Sequence, residues 1–293
     1  MSWIYLALFA QVLSGLVILL DKFLVSSKAV SRPVVYAFYV GIMSGAVVVY
    51  FPLVSWPTFR VIELSFVIAL TYIFSILFLY KSLKISDASD VAPVMGAVSA
   101  LSTFLFSLWL LKDALPGNFL IGFVFLVAGM FLMSRLRFSK SSTSYVILAG
   151  ILFGISSVFV KIIFRETTFW DGFFWSRMAN VAGAFMLLLW PGNFTAVIKN
   201  FKESRAKTKL LVVANKALAG LAFLFVLLAI RMGDVSLVNA IGGMQFVFVL
   251  LFAFILTKKI PGHFSENVHE GNVFLHKFVS TMLIVVGFFM LFI

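Results

Sequence analysis

A few polar side chains stand deep inside long apolar runs of this sequence, and they are the residues equipped to hold a solute. Gln245 lies near the middle of such a run and can both donate and accept hydrogen bonds, which makes it the first candidate for a substrate contact. An interhelical hydrogen bond that holds the fold is the alternative role. Lys216 is about six residues into its run with Asn215 beside it, and if it lines a cavity it favours an anionic or zwitterionic solute. Arg177 and Asn180 share a helical face at i, i+3. Snorkelling of the long stem to the membrane surface accounts for Arg177, Lys22 and Lys161. Ser99, Thr103 and Ser107 line one face at i, i+4, i+8, and Asn239 and Gln245 flank the pair Gly242 and Gly243. Pro93 with Gly96 falls at a matching place in an earlier run. Proline removes a backbone donor and glycine loosens a helix, so both pairs are candidate breaks or hinges facing a cavity, with ordinary helix packing as the alternative.

Carboxylates are scarce. Asp87 and Asp234 precede apolar runs, where an Asp caps free N–H groups and complements the helix dipole. Asp90, one turn deeper, is the candidate for a coupling proton, although no Glu occupies the centre of any run. His263, His269 and His276 are spaced by six and seven, unlike a helical metal pair, and Cys is absent. Phosphate-loop and zinc-protease motifs are missing too, and no Ser has a nearby His to activate it. The expectation is a protein without enzymatic activity, cofactor or metal.

What must position these residues is a set of apolar helices. The chain of 293 residues is 62% hydrophobic and 12% charged, with a mean hydropathy of +1.12. It divides into runs at about 3–20, 34–54, 61–80, 87–111, 117–134, 145–164, 173–190, 210–230, 235–257 and 275–293, each near the length that crosses a bilayer. They are too long and too uniformly apolar for barrel strands. The longest connection, 191–209, reads as a basic loop. Gly41 with Gly45 and Gly150 with Gly154 have the spacing that lets helix backbones approach, more consistent with packing within one chain than with a dimer. Trp3, Trp56, Trp170 and Trp190 fall near run ends, as interfacial anchors do.

The net charge of +12 does not point to nucleic acid, because the cations cluster in short connections beside apolar runs. Connections after runs 1, 3, 5, 7 and 9 hold 16 of the 23 Lys and Arg, whereas the others hold Arg60, Lys112, Arg165 and Arg231. Basic residues stay in the cytoplasm, so both termini are expected outside. The first run lacks a preceding cation and a cleavage site, and is expected to be retained.

Aligned with itself, the sequence repeats weakly at about 140 to 147 residues. GLVILLDKFL from Gly15 lies over GISSVFVKII from Gly154, pairing Lys22 with Lys161. LKISDASDVAPVMG from Leu83 lies over IRMGDVSLVNAIGG from Ile230, pairing Asp87 with Asp234 and Gly96 with Gly243. Runs 1–5 are thereby matched to runs 6–10. Because five is odd, the second half enters the membrane inverted, an arrangement common in secondary transporters.

This layout, with the short turn SLKISDASDVAPV, its counterpart AIRMGDVSLVNAI, and Pro93 within run 4, resembles the ten-helix EamA-type members of the drug/metabolite transporter superfamily. The resemblance covers essentially the whole chain, and departs from the family in lacking a basic N-terminus. It implies export or exchange of small metabolites, with a pocket between helices 1–4 and 6–9. The expectation is therefore an all-α integral membrane protein of ten transmembrane helices in two inverted five-helix repeats, residues 1–138 and 139–293. It would be a secondary transporter in a prokaryotic cytoplasmic membrane. Its partners would be a small-molecule substrate, the lipid bilayer and a coupling proton or counter-solute, with no nucleic acid. The alternatives are a flippase for a lipid-linked or amphipathic substrate and a non-transporting membrane scaffold.

Overall fold

Apolar runs that cannot offer their backbone groups to lipid must satisfy them within the run, and the described residues accordingly contain helices and no strand. A computed structural model describes residues 2–26, 32–86, 88–112, 119–134, 140–204, 206–259 and 271–291. In chain order the helices are α1 (Ser2–Ser26), α2 (Pro33–Met43, prolonged by a 3₁₀ segment Ser44–Leu53), α3 (Phe59–Ile85), α4 (Ala88–Leu110), α5 (Phe119–Met133), α6 (Lys140–Glu166), α7 (Phe169–Leu188), α8 (Asn193–Glu203), α9 (Ala206–Met232), α10 (Val235–Ile241), α11 (Met244–Lys259) and α12 (Gly271–Met290). Six of these spans are long and apolar enough to cross a membrane, or seven if α7 with α8 counts as one bent span; α5, α12 and the stretch from Val235 to Val249 are shorter and apolar. The protein is a multi-pass, all-helical membrane protein.

Caps set several starts. Thr58 accepts from the Val61 amide (3.3 Å) and Thr168 from the Asp171 amide (3.2 Å). Asp171 Oδ1 also accepts from the Ser55 amide at 2.8 Å, and the Trp175 indole donates to the Ser55 carbonyl at 3.0 Å, so the turn before α3 is pinned to α7. Asp234 takes the capping role expected of it, accepting from the amides of Ser236 (2.7 Å) and Leu237 (3.0 Å). Asp87 lies outside the described residues, as do His263 and His269.

Side-chain contacts fix how helices run past one another. Along α3 and α6 the partners are Ile68 with Ser156, Ser75 with Ala149, and Ser82 with Ser142, so the two helices are antiparallel. Along α1 and α9, Trp3 lies on Gly233, Phe9 on Phe225 and Asp21 on Lys216, which is antiparallel again. The other principal neighbours are α4 with α6, α5 with α12, α3 and α2 with α7, and α1 with α11. Glycines set the closest approaches. A methyl group at Gly154 would stand 2.6 Å from Ser102 Cβ, and one at Gly41 would stand 2.5 Å from Ala184 Cβ. Both small-residue pairs thus pack helices within the chain.

Three expectations are corrected. The connection 191–209 is not a plain loop: it holds α8, which turns 104° from α7 after Gly192, whose φ of +80° suits a residue without a Cβ. Phe194, Ile198 and Phe201 lie exposed at i, i+4, i+7 beside Lys199 and Lys202, the pattern of a helix lying in a membrane surface. The periodicity is short and its lysines obscure it. Second, the glycine pair Gly242–Gly243 does break its run, separating α10 from α11, but α4 continues unbroken through Pro93 and Gly96. Pro93 is the sixth residue of α4, so the helix loses a single bond near its start. Gly96 instead makes room for the Phe246 ring, 2.6 Å from where a Cβ would stand. Third, the second run finishes as a 3₁₀ segment containing Pro52.

Candidate functional site

The buried charge of Lys216 does not stand alone. Its Nζ lies 2.6 Å from Asp21 Oδ1, and the two side chains are 4% and 9% exposed. An ion pair taken out of water is stable only when the remaining hydrogen-bonding capacity is used. Here Asp21 Oδ1 also accepts from the Tyr36 hydroxyl (2.7 Å) and Asn215 Nδ2 (2.6 Å), while Oδ2 accepts from the Tyr80 hydroxyl (3.3 Å). Lys216 Nζ donates further to the Tyr80 oxygen at 3.1 Å and sits over the Tyr36 ring, 4.4 Å from its centroid. The cluster ties α1, α2, α3 and α9 together. Of its members only Lys216 and Asn215 stand out in the sequence. Asp21 adjoins Lys22 at the end of its run and reads as a flanking charge, and the tyrosines read as apolar bulk.

Two turns further toward the middle of the bundle lies a second polar group. Tyr72 is the central residue of α3, with about 20 Å of helix on either side. The Arg177 guanidinium carbon lies over its ring, 5.1 Å from the centroid, and over that of Phe223 on α9 at 4.8 Å. Arg177 is 5% exposed. Snorkelling is therefore corrected: the side chain is buried against two neighbouring rings, whose centroids are 5.5 Å apart, rather than extended to a membrane surface. Its Nε and Nη2 have no hydrogen-bond partner within the protein, and neither has either side-chain atom of the fully buried Asn180.

Lys22 and Lys161 each reach the end of a span, where the amine meets backbone carbonyls. Lys22 Nζ donates to the carbonyls of Leu83 (3.1 Å) and Ser86 (2.8 Å) at the end of α3. Lys161 Nζ donates to those of Ile230 (2.8 Å) and Gly233 (2.6 Å) at the end of α9. Each lysine occupies a helix C-terminus, where unpaired carbonyls and the dipole favour a cation. Arg231 reciprocates at the second place, donating to the Phe164 carbonyl of α6. The antiparallel course of α3 against α6, and of α1 against α9, puts the two lysine contacts at opposite ends of the bundle.

The remaining candidates are dispersed. Asn239 donates to Thr103 Oγ1 at 2.8 Å, joining α10 to α4, and Thr103 donates to the Gly154 carbonyl at 3.5 Å. Ser99 turns back on the Gly96 carbonyl at 2.9 Å. Asn239 and Thr103 thus join helices, whereas the Ser99 hydroxyl bond stays within α4. Gln245 opens α11 with its backbone carbonyl against Gly15 of α1, and no side-chain hydrogen bond joins it to Lys216. Asp90 is buried in the first turn of α4.

No protein-family model matches this sequence, and no curated protein matches it. Twenty-seven chains of solved structures do match its fold. One, a crystal structure of a protein, shares 19% sequence identity over 97% of this chain and 96% of that one, with a TM-score of 0.66. This is a likeness of fold alone, extending nearly end to end in both molecules.

Proposed function

We propose that the protein is a secondary transporter of the EamA type within the drug/metabolite transporter superfamily. It would move a small organic solute across a prokaryotic cytoplasmic membrane by alternating access. The ten spans would be α1, α2 with its 3₁₀ extension, α3, α4, α5, α6, α7, α9, α10 with α11, and α12, in two inverted halves with both termini outside. One observation carries the reading. The residues that the internal repeat aligns are the ones that make equivalent contacts: Lys22 with Lys161, Leu83 with Ile230, and Ser86 with Gly233.

The neighbour pattern supports the same exchange. Swapping the halves turns the α1–α9 pair into α6–α3 and the α1–α11 pair into α6–α4, and all four are principal contacts. Rocking one half against the other would open one lysine contact while the opposite one stays made, exposing the polar groups between α3 and α9 to each side in turn. Asp90 is retained as a candidate for coupling.

Proteoliposomes containing the purified chain, incubated with a mixture of soluble metabolites and read by mass spectrometry, test the proposal. Selective solute accumulation is the expected outcome. Lipid scrambling without solute uptake would transfer the reading to a flippase, and neither activity would leave a scaffold.

A further inference from the structure

We infer that Arg177 and Asn180 form the carboxylate-binding site for the transported solute, a step that rests on the transport reading. Charge pairing narrows the choice of cation. Lys216 is neutralised by Asp21 and cannot serve as a free anion receptor without breaking that pair. Arg177 faces no such partner: among the described residues no carboxylate forms an ion pair with it, and its neighbours are the Tyr72 side chain, hydroxyl included, and the Phe223 ring.

Geometry then narrows the anion. The unpartnered nitrogens are Nε and Nη2. These two lie on one edge of the guanidinium and point parallel N–H bonds outward, the fork that matches both oxygens of a carboxylate. The two rings touch each other, with centroids 5.5 Å apart, and so lie to one side of the guanidinium carbon, while the Nε–Nη2 edge has no partner within the protein. Asn180, one turn on along α7, supplies an unpartnered amide with both a donor and an acceptor. The amide N–H reaches the anion or its neighbour, and the carbonyl accepts from a hydroxyl or amino group next to the carboxylate. Buried donors left unmade cost stability, about 1–3 kcal/mol each for neutral groups and more for charged ones. Unpartnered polar atoms this deep call for a partner, and a bound carboxylate would complete them. In the conformation described both lysine contacts are made, and a solute reaches Arg177 when one end opens.

Acetate is the minimal probe, since it carries the recognised group and nothing else. The full chain in detergent micelles is labelled at arginine Nε, and the Arg177 resonance is assigned by its loss in Arg177→Lys. A saturable downfield shift of this resonance with acetate is expected, absent with acetamide and with chloride at equal ionic strength. Asn180→Leu should weaken the acetate response at least tenfold. No shift with acetate, or an equal one with chloride, overturns the site. A larger shift with inorganic phosphate than with acetate overturns the carboxylate assignment. The measurement needs no transport, so a failed shift leaves the uptake experiment standing, and failed uptake leaves the shift.

Discussion

Replacing Lys216 by Met would strand the Asp21 carboxylate in the bundle with only neutral donors around it, and breaking a buried pair in this way costs about 3–5 kcal/mol. Asp21→Asn in the same chain removes the stranded charge, so the double variant should unfold closer to wild type than Lys216→Met alone. Denaturant titration of the detergent-solubilised protein by circular dichroism measures this, and strictly additive losses would show that the pair is not coupled. Two of the five residues of this cluster are legible in the sequence, because an amine and an amide side by side within an apolar run are conspicuous. Asp21 is not, since a charge at the end of a run looks the same whether it faces water or a partner 195 positions away. The same ambiguity hides the setting of Arg177 on α7, whose two neighbouring rings come from α3 and α9 and cannot be assigned to it by periodicity.

At the scale of helices, close approach is the feature that substitution tests best. Gly154→Ala puts a methyl group 2.6 Å from Ser102 Cβ and 2.8 Å from backbone on α4, with a loss of about 1–3 kcal/mol expected from overpacking. Gly220→Ala meets nothing within 4 Å and should be neutral or stabilising by up to about 1 kcal/mol, as alanine favours the helix. Comparison of the two unfolding midpoints checks this, and equal effects would mean that α4 and α6 do not touch at Gly154. The break between α10 and α11 carries a second prediction. Gly242→Leu should shift the ratio of inward- to outward-facing molecules, whereas Pro93→Ala, in a helix that is already continuous, should leave it unchanged. Side-specific thiol labelling of single introduced cysteines reads that ratio, and the chain has no native Cys to confuse it. Equal shifts from both substitutions would restore the idea of matched hinges. Sequence spacing finds both glycine pairs and the proline but cannot separate a kink from a tight contact, because the deciding atom, the Phe246 ring against Gly96, comes from another helix.

For the molecule as a whole, the two lysine contacts at opposite ends should act with opposite sign. Lys22→Met and Lys161→Met each remove two hydrogen bonds from a charged donor, worth about 1.5–3 kcal/mol apiece, and a net bias of only about 1.4 kcal/mol changes the ratio of facing states tenfold. The first variant should raise labelling from one side of the membrane and the second from the other; a change toward the same side in both would refute the antagonism. The helical, membrane-spanning character was legible from run lengths, whereas the proposed repeat rests on a handful of aligned identities. That repeat would be imperfect. In the alignment that pairs Lys22 with Lys161, Asp21 falls opposite Val160, and in the one that pairs Leu83 with Ile230, Lys216 falls opposite Ala69. Residues 1–138 contribute the acid and both tyrosines of the cluster, and residues 139–293 contribute the amine, the amide and Arg177. Two copies of the first half, assembled head to tail, would hold carboxylates without a counter-ion, and two copies of the second would hold amines without one. A split chain should thus recover function only when the two different fragments are co-expressed, making the molecule an obligate heterodimer written as a single polypeptide.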